Sequence, residues 1–311
     1  MTVGFPASGK SSRLGLTMRK GLKYEILSRD EEGGKVISLL PKLEKVLSTG
    51  GSAVLDCTFM TVAGRKPFID LCKAKGVGIS CLWIATSAED CQINALNRMW
   101  DRYGKVFLDA EALKEVKKDP NMFPIGVIFK MKKEFEKPTV AEGFSDVAKA
   151  PFSRRRDKSF TEKAIFLDYD GTLRETNGGY KNQYPIKPSE VTVRPNAGKV
   201  LKEYMSKGYR LIGVSNQSGI GRGNLTEQDA IDCFEETNRQ LGIDIEYSFC
   251  PHNIPPIKCY CRKPQSGMAI HYIRKYNLDP SKCLMIGDMT SDKTWAERIG
   301  MEFRYPDEFF V

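Results

Sequence analysis

The chain has 311 residues, 41% hydrophobic and 28% charged, with a formal charge of +9, nine cysteines and only two histidines. That length admits two separately cored domains, because single cores stop growing near ~250–300 residues, and no apolar run approaches the ~18–20 residues that span a bilayer, which excludes a membrane helix. Residues 1–6 lack the basic and apolar regions of a signal peptide, so the cysteines are expected as thiols or metal ligands of an intracellular protein, cytoplasmic or nuclear and not secreted, while the positive charge tilts the expected partners toward polyanions.

Both halves alternate short apolar runs with amphipathic stretches, which predicts α/β domains with buried parallel strands. The strands are expected at residues 54–55, 79–84, 164–167, 211–214 and 283–286, each followed by residues able to do chemistry, as ligand sites in open α/β sheets require. We place one domain at 1–150, a linker at 151–161 and a second domain at 162–311. The linker carries the basic run Arg154-Arg155-Arg156-Asp157-Lys158, which reads as a solvated interdomain segment and also fits a localisation or nucleic-acid patch.

First in chain order is "GFPASGKSS", residues 4–12. It fits G-x-x-x-x-G-K-[ST], in which backbone N–H groups and a helix N-terminus hold phosphates. Gly4 and Gly9 would shape the loop, Lys10 would reach the β/γ-phosphates of ATP, and Ser11 would hold Mg²⁺. A helix is expected from Ser11 onward, and the strand before Gly4 is unusually short. "YEILSRD", residues 24–30, and "VLDCT", residues 54–58, then end two further strands on polar residues.

On these motifs residues 1–150 resemble the kinase domain of polynucleotide kinase-phosphatases, a P-loop kinase fold. The resemblance extends to "FEKPTVAEGF", residues 135–144. It implies that Asp30 is the general base on an acceptor 5′-hydroxyl and that Arg98 is a lid arginine. Taken alone, Asp30 also fits a helix-start carboxylate and Arg98 a solvated helix face. Ser28, Cys57 and Phe59 depart from the family's pattern.

In the second half "FLDYDGTL", residues 166–173, puts two carboxylates two apart just past a buried strand. Alone, that turn also fits a helix cap or a calcium ligand. Three more motifs follow in order, namely Ser215 at a strand end, Lys263, and "IGDMTSD" at residues 286–292. The set resembles haloacid-dehalogenase-type phosphatases. The resemblance implies a Rossmannoid fold with Asp168 as nucleophile, Asp170 as general acid and base, Ser215 on a phosphoryl oxygen, and Lys263 neutralising charge. Asp168, Asp170, Asp288 and Asp292 are the expected residues of the Mg²⁺ site.

"CPHNIPPIKCYCRKP", residues 250–264, supplies Cys250, His252, Cys259 and Cys261 as two short chelating pairs. Three thiolates and one imidazole make a closed tetrahedral set, so a structural Zn²⁺ is expected, bracing the loop that delivers Lys263. His271 reads as an ordinary helix residue. The zinc loop and "SNQSGIGRG", residues 215–223, resemble histidinol-phosphate and heptose-bisphosphate phosphatases, whereas "MEFRYPDEFF", residues 301–310, resembles the phosphatase domain of animal polynucleotide kinase-phosphatases.

Together the resemblances imply a bifunctional enzyme that heals nucleic-acid ends, DNA or RNA, through a 5′-hydroxyl kinase and a 3′-phosphatase, with a ligase as its natural partner. The stretch between Thr172 and the next strand leaves no room for a large cap, and an open site admits polymer ends. Two alternatives stand beside this reading: a small-molecule phosphatase fused to a small-molecule kinase, and a kinase half reduced to a binding module.

Overall fold

The computed structural model describes residues 1–17, 23–29, 33–154, 157–176, 184–253, 256 and 258–311. Asp30 lies outside them, as do Arg155 and Arg156 of the basic run and residues 177–183 of the stretch that follows Thr172. Two compact units form, one from Met1–Ala95 with Val116–Arg155, the other from Leu96–Glu115 with Arg156–Val311. No helix among the described residues is long and apolar enough to cross a membrane.

In the first unit β1 (Thr2–Val3) pairs in parallel with β4 (Ser80–Ala85), and β4 with β5 (Asp146–Pro151). A second parallel pair joins β2 (Glu25–Ser28) to β3 (Ala53–Asp56). Helices α1 (Lys10–Thr17), α2 (Leu40–Ser48), α3 (Val62–Ala74), the start of α4 (Ala88–Tyr103) and α5 (Ile125–Glu134) complete it. Val3, Leu27, Leu55, Phe68 and Cys81 share one core. Strand β5 was not expected. It ends at Pro151, inside the stretch that reads as linker, because a proline at a strand's last position need not donate to the ladder. The segment 135–144 is bolted to α3 by a buried ion pair, in which the Arg65 guanidinium donates to both carboxylate oxygens of Glu142 at 2.6 and 2.9 Å and to the Phe59 carbonyl at 2.9 Å.

The second unit holds a five-stranded parallel sheet in the order β10-β9-β6-β7-β8. Its strands are β6 (Ala164–Leu167), β7 (Arg210–Asn216), β8 (Glu246–Cys250), β9 (Leu284–Ile286) and β10 (Glu302–Arg304). Every residue of β6 is buried, as expected of a central strand covered on both faces. Between Thr172 and β7 the described residues form one 3₁₀ turn at Pro188–Glu190 and α6 (Ala197–Ser206). Then come α7 (Ser218–Gly221), α8 (Glu227–Leu241), α9 (Gly267–Tyr276), α10 (Thr290–Ile299) and α11 (Pro306–Phe309). The chain leaves β6 toward β7 on one side and reaches β9 on the other. That reversal opens a crevice beyond the carboxyl ends of the strands.

Residues 96–115 group with this second unit, although the sequence places them in the first domain. Their contacts explain it: Arg274 of α9 donates to Asn97 Oδ1 at 3.3 Å and pairs with Asp101, and the Trp100 ring meets His271 edge-on at 5.8 Å. His271 is a helix residue among aromatic rings, and burial lowers its pKa.

Candidate active site

Asp168 follows β6, and its backbone N–H donates to the Ile286 carbonyl at 3.0 Å, tying the loop to β9. Gly171 turns the chain with a φ of 78°, a left-handed conformation that favours glycine. A Cβ there would lie 2.4 Å from Asp288 Oδ2, so the residue also lets Asp288 approach the loop. Asp168, Asp288 and Asp292 each bring one carboxylate oxygen within 4.8 Å of the other two. Lys263 Nζ sits among them, 2.8 Å from Asp168 Oδ1, 2.8 Å from Asp292 Oδ1 and 2.7 Å from the Val214 carbonyl.

The electrostatics follow from this crowding. Burial pushes the Asp168 carboxyl up to about 7, with Asp292 and Asp170 adding to the shift and Lys263 opposing it. Asp288 reaches solvent on one side, yet the protein on its other side and the charge of Asp292 raise its pKa as well. Burial works against the charge on Lys263, but the two aspartates more than offset it and hold its pKa above the ordinary value. Three carboxylates around one ammonium leave an excess of negative charge, and hard oxygen donors at this spacing suit a small divalent cation.

Asp170 is held differently. It lies outside the three-carboxylate group, accepting from Arg174 Nε at 2.8 Å on Oδ1 and from Gln217 Nε2 at 2.7 Å on Oδ2. Arg174 is fully buried over the rings of Tyr169 and Phe234 and donates to Thr237 Oγ1 at 3.2 Å. Gln217 also donates to Ser215 Oγ at 3.0 Å, linking the end of β7 to the aspartate loop. Asn216 clamps the lysine from both sides: its Oδ1 accepts from the Lys263 backbone N–H at 2.9 Å, and its Nδ2 donates to the Lys263 carbonyl at 3.1 Å. The sequence pointed to the aspartates, Ser215 and Lys263. It gave no sign of Arg174 or of the Asn216 clamp, because nothing local distinguishes a buried arginine from a solvated one.

The four residues expected to bind metal in the loop 250–261 also converge, with their ligand atoms all within 4.8 Å of one another. His252 Nδ1 lies 3.4 Å from Cys250 Sγ and 3.3 Å from Cys261 Sγ, and the sulfurs of Cys250 and Cys259 are 3.7 Å apart. Hydrogen bonds among the three thiols pull Cys259 down and push Cys250 and Cys261 up. A cation bound by all three would hold each as a thiolate.

In the first unit the loop 4–9 runs from β1 into α1. Gly9 takes a φ of 88° and Ala7 one of 59°. Lys10 Nζ donates to the carbonyls of Gly4 at 3.2 Å and Phe5 at 2.8 Å. Ser11 Oγ donates to Asp56 Oδ2 at 2.7 Å, while Thr2 Oγ1 donates to Asp56 Oδ1 at 3.0 Å. Thr86 and Asn94 anchor the loop by donating to the Ser8 and Ala7 carbonyls, at 2.8 and 2.9 Å. Arg98 lies on α4 in the stretch grouped with the second unit, and Gly4, Gly9, Lys10 and Ser11 all lie in the first.

A carboxylate turn, a strand-end hydroxyl, a buried lysine and an acidic loop, set on the carboxyl ends of a parallel sheet, define a phosphatase of the haloacid-dehalogenase type. Residues 163–310 match the family model described as polynucleotide kinase 3 phosphatase. The probable D-glycero-D-manno-heptose-1,7-bisphosphate 7-phosphatase of Thermoplasma volcanium is 35% identical over 147 residues, spanning 46% of this chain and 97% of that protein. The D-glycero-beta-D-manno-heptose-1,7-bisphosphate 7-phosphatase of Haemophilus ducreyi is 36% identical over 155 residues, 45% of this chain and 80% of that one. Through its second half the chain belongs to the haloacid-dehalogenase-type phosphatases and is related to the heptose-bisphosphate enzymes among them. A chain in the structure of the Pnkp1/Rnl/Hen1 RNA repair complex aligns over 98% of this chain and 94% of its own length, at 16% identity and a TM-score of 0.31.

Proposed function

We propose that this protein heals nucleic-acid ends, removing a 3′-phosphate with its second unit and phosphorylating a 5′-hydroxyl from ATP with its first. In the phosphatase Asp168 attacks phosphorus and the ester oxygen leaves. Asp170, oriented by Arg174 and Gln217, protonates the leaving alcohol and then takes a proton from the water that hydrolyses the aspartyl-phosphate. Ser215 donates to a phosphoryl oxygen, and Lys263 offsets the charge of the nucleophile and the phosphoryl group. Haloacid-dehalogenase-type phosphatases use Mg²⁺. Here Asp168, Asp288 and Asp292 would hold it, and it would neutralise charge on the transferring phosphoryl group.

In the kinase, loop N–H groups and Lys10 cradle the phosphates of ATP, and Ser11 with Asp56 would hold the accompanying Mg²⁺. The observation that carries this half is the Ser11–Asp56 contact at 2.7 Å beside Lys10 and the left-handed Gly9, a hydroxyl and a carboxylate meeting at the mouth of a glycine loop. Asp30 is retained as the proposed base and Arg98 as the proposed lid arginine on the sequence resemblance alone. Zn²⁺ bound by Cys250, His252, Cys259 and Cys261 would fill all four positions of a tetrahedron, which suits bracing rather than catalysis. A ligase is the partner whose substrate, a 5′-phosphate facing a 3′-hydroxyl, this reaction pair would make.

A second reading, hydrolysis of a sugar bisphosphate, is favoured by the 35% and 36% identity to heptose-bisphosphate phosphatases. A substrate panel separates the two. Under the first reading, oligonucleotides with a 3′-phosphate are dephosphorylated at least tenfold more efficiently than heptose bisphosphate or histidinol phosphate, and 5′-hydroxyl oligonucleotides gain label from ATP. Preference for the sugar phosphate, with no labelled oligonucleotide, would establish the second.

A further inference from the structure

The family match begins at residue 163, yet one side chain beside the metal loop comes from far upstream. Asp109 Oδ2 lies 3.3 Å from His252 Nε2, on the edge of the imidazole opposite the thiols. Its other oxygen, Oδ1, accepts from the Ala112 backbone N–H at 2.9 Å at the start of the 3₁₀ turn Ala112–Val116, so the carboxylate is fixed before it meets the histidine. The neighbouring backbone is tied to the same loop: the Leu108 carbonyl accepts from Tyr260 N–H at 2.6 Å, between Cys259 and Cys261. A Cβ at Gly267 would fall 2.7 Å from Leu108 Cδ2 and 2.6 Å from the Tyr260 carbonyl, so this approach uses the space that glycine leaves. Buried Phe107 anchors the segment.

We infer that Asp109 is a positioning residue for the zinc loop, accepting Nε2–H of His252 and thereby presenting Nδ1 to the metal alongside Cys250, Cys259 and Cys261. An imidazole has two nitrogens, and the hydrogen bond made by one decides which is left to ligate. Here the carboxylate faces Nε2 and the sulfurs face Nδ1, so a single orientation serves both. The metal site of the phosphatase is then completed by a segment outside the family-matched region. This inference rests on the zinc reading proposed above.

The test uses the full chain and zinc itself, comparing wild type with Asp109→Ala and Asp109→Ser by elemental analysis and by the rate of zinc transfer to an excess of a chromogenic chelator. Serine keeps an oxygen that can cap Ala112 but is too short to reach the imidazole. Wild type is expected to carry one zinc per chain, and both variants to release it about 10–100-fold faster. Release from Asp109→Ser at the wild-type rate, whatever alanine does, would reduce Asp109 to a cap and overturn the inference while leaving the zinc reading intact. Wild-type protein purified without chelators and lacking zinc would overturn both.

Discussion

The aspartate pocket of the second unit and the glycine loop of the first, for which we propose a phosphate-binding role, are built on opposite principles. In the second unit the chemistry resides in charged side chains taken out of water: Lys263 and Asp292 are buried, and Asp168 shares their pocket. In the first the proposed chemistry would rest on backbone and surface polar groups, with Lys10 folded onto loop carbonyls and Ser11 against Asp56 at the solvent edge. A pocket of the first kind is charge-strained without a cation, whereas in a loop of the second kind Lys10 and Ser11 already donate to carbonyls and a carboxylate, with little to relieve. The same contrast explains why the aspartate pocket shows displaced pKa values.

The largest effect separating the regions is expected from Asp168→Asn. Loss of the nucleophile should lower turnover of a 3′-phosphate by about 10⁴-fold or more while leaving ATP-dependent phosphorylation intact, as steady-state rates on matched oligonucleotides would report. Residual phosphatase activity within tenfold of wild type would remove the covalent step. Next is Lys10→Ala, expected to reduce phosphorylation by about 10²–10³-fold, since it removes a cation held against the developing charge, with the phosphatase unchanged. Wild-type phosphorylation by this variant would end the assignment of residues 4–11 as the ATP site.

The aspartates and the glycine loop could be picked out in the sequence because the chemistry proposed for them demands particular residue types at fixed spacing. What supports them was not. Arg174 and Asn216 do their work through partners 63 and 47 positions away, and no local pattern announces such a contact. The segment 107–109 was hidden for the same reason: its place in the second unit depends on Tyr260 and α9, far along the chain. Strand β8 was missed because four of its five residues are only half-buried, so it lacks the apolar run that marked β6. Asp30 gained no structural account, since it lies outside the described residues.

Smaller effects sharpen the contrast. Gly171→Ala would force a side chain onto Asp288 in a left-handed backbone, and a misplacement of this kind should cost the phosphatase about 10–10²-fold and weaken Mg²⁺ binding, read as a raised Mg²⁺ requirement at unchanged kinase rate. An unaltered Mg²⁺ requirement would separate Asp288 from the metal. The smallest expected change is in stability without Mg²⁺. The folded pKa of Asp168, about 7, lies above the ordinary carboxylate value of ~3.9. Its proton-linked contribution is therefore complete below about pH 4 and is lost as pH rises through 7. Asp168→Asn escapes that loss, so its melting temperature should exceed the wild type's by a few degrees at pH 8 and converge with it toward pH 4. A gap that is constant with pH would contradict the charge-strained pocket.

The most direct measurement uses one oligonucleotide bearing both a 5′-hydroxyl and a 3′-phosphate, incubated with ATP and Mg²⁺ and followed at each end by mass. Wild type is predicted to convert it to a 5′-phosphate and 3′-hydroxyl product, Asp168→Asn to add only the 5′-phosphate, and Lys10→Ala to remove only the 3′-phosphate. Wild-type protein that leaves both ends unchanged, or a folded variant in which either substitution abolishes both reactions, would contradict the account.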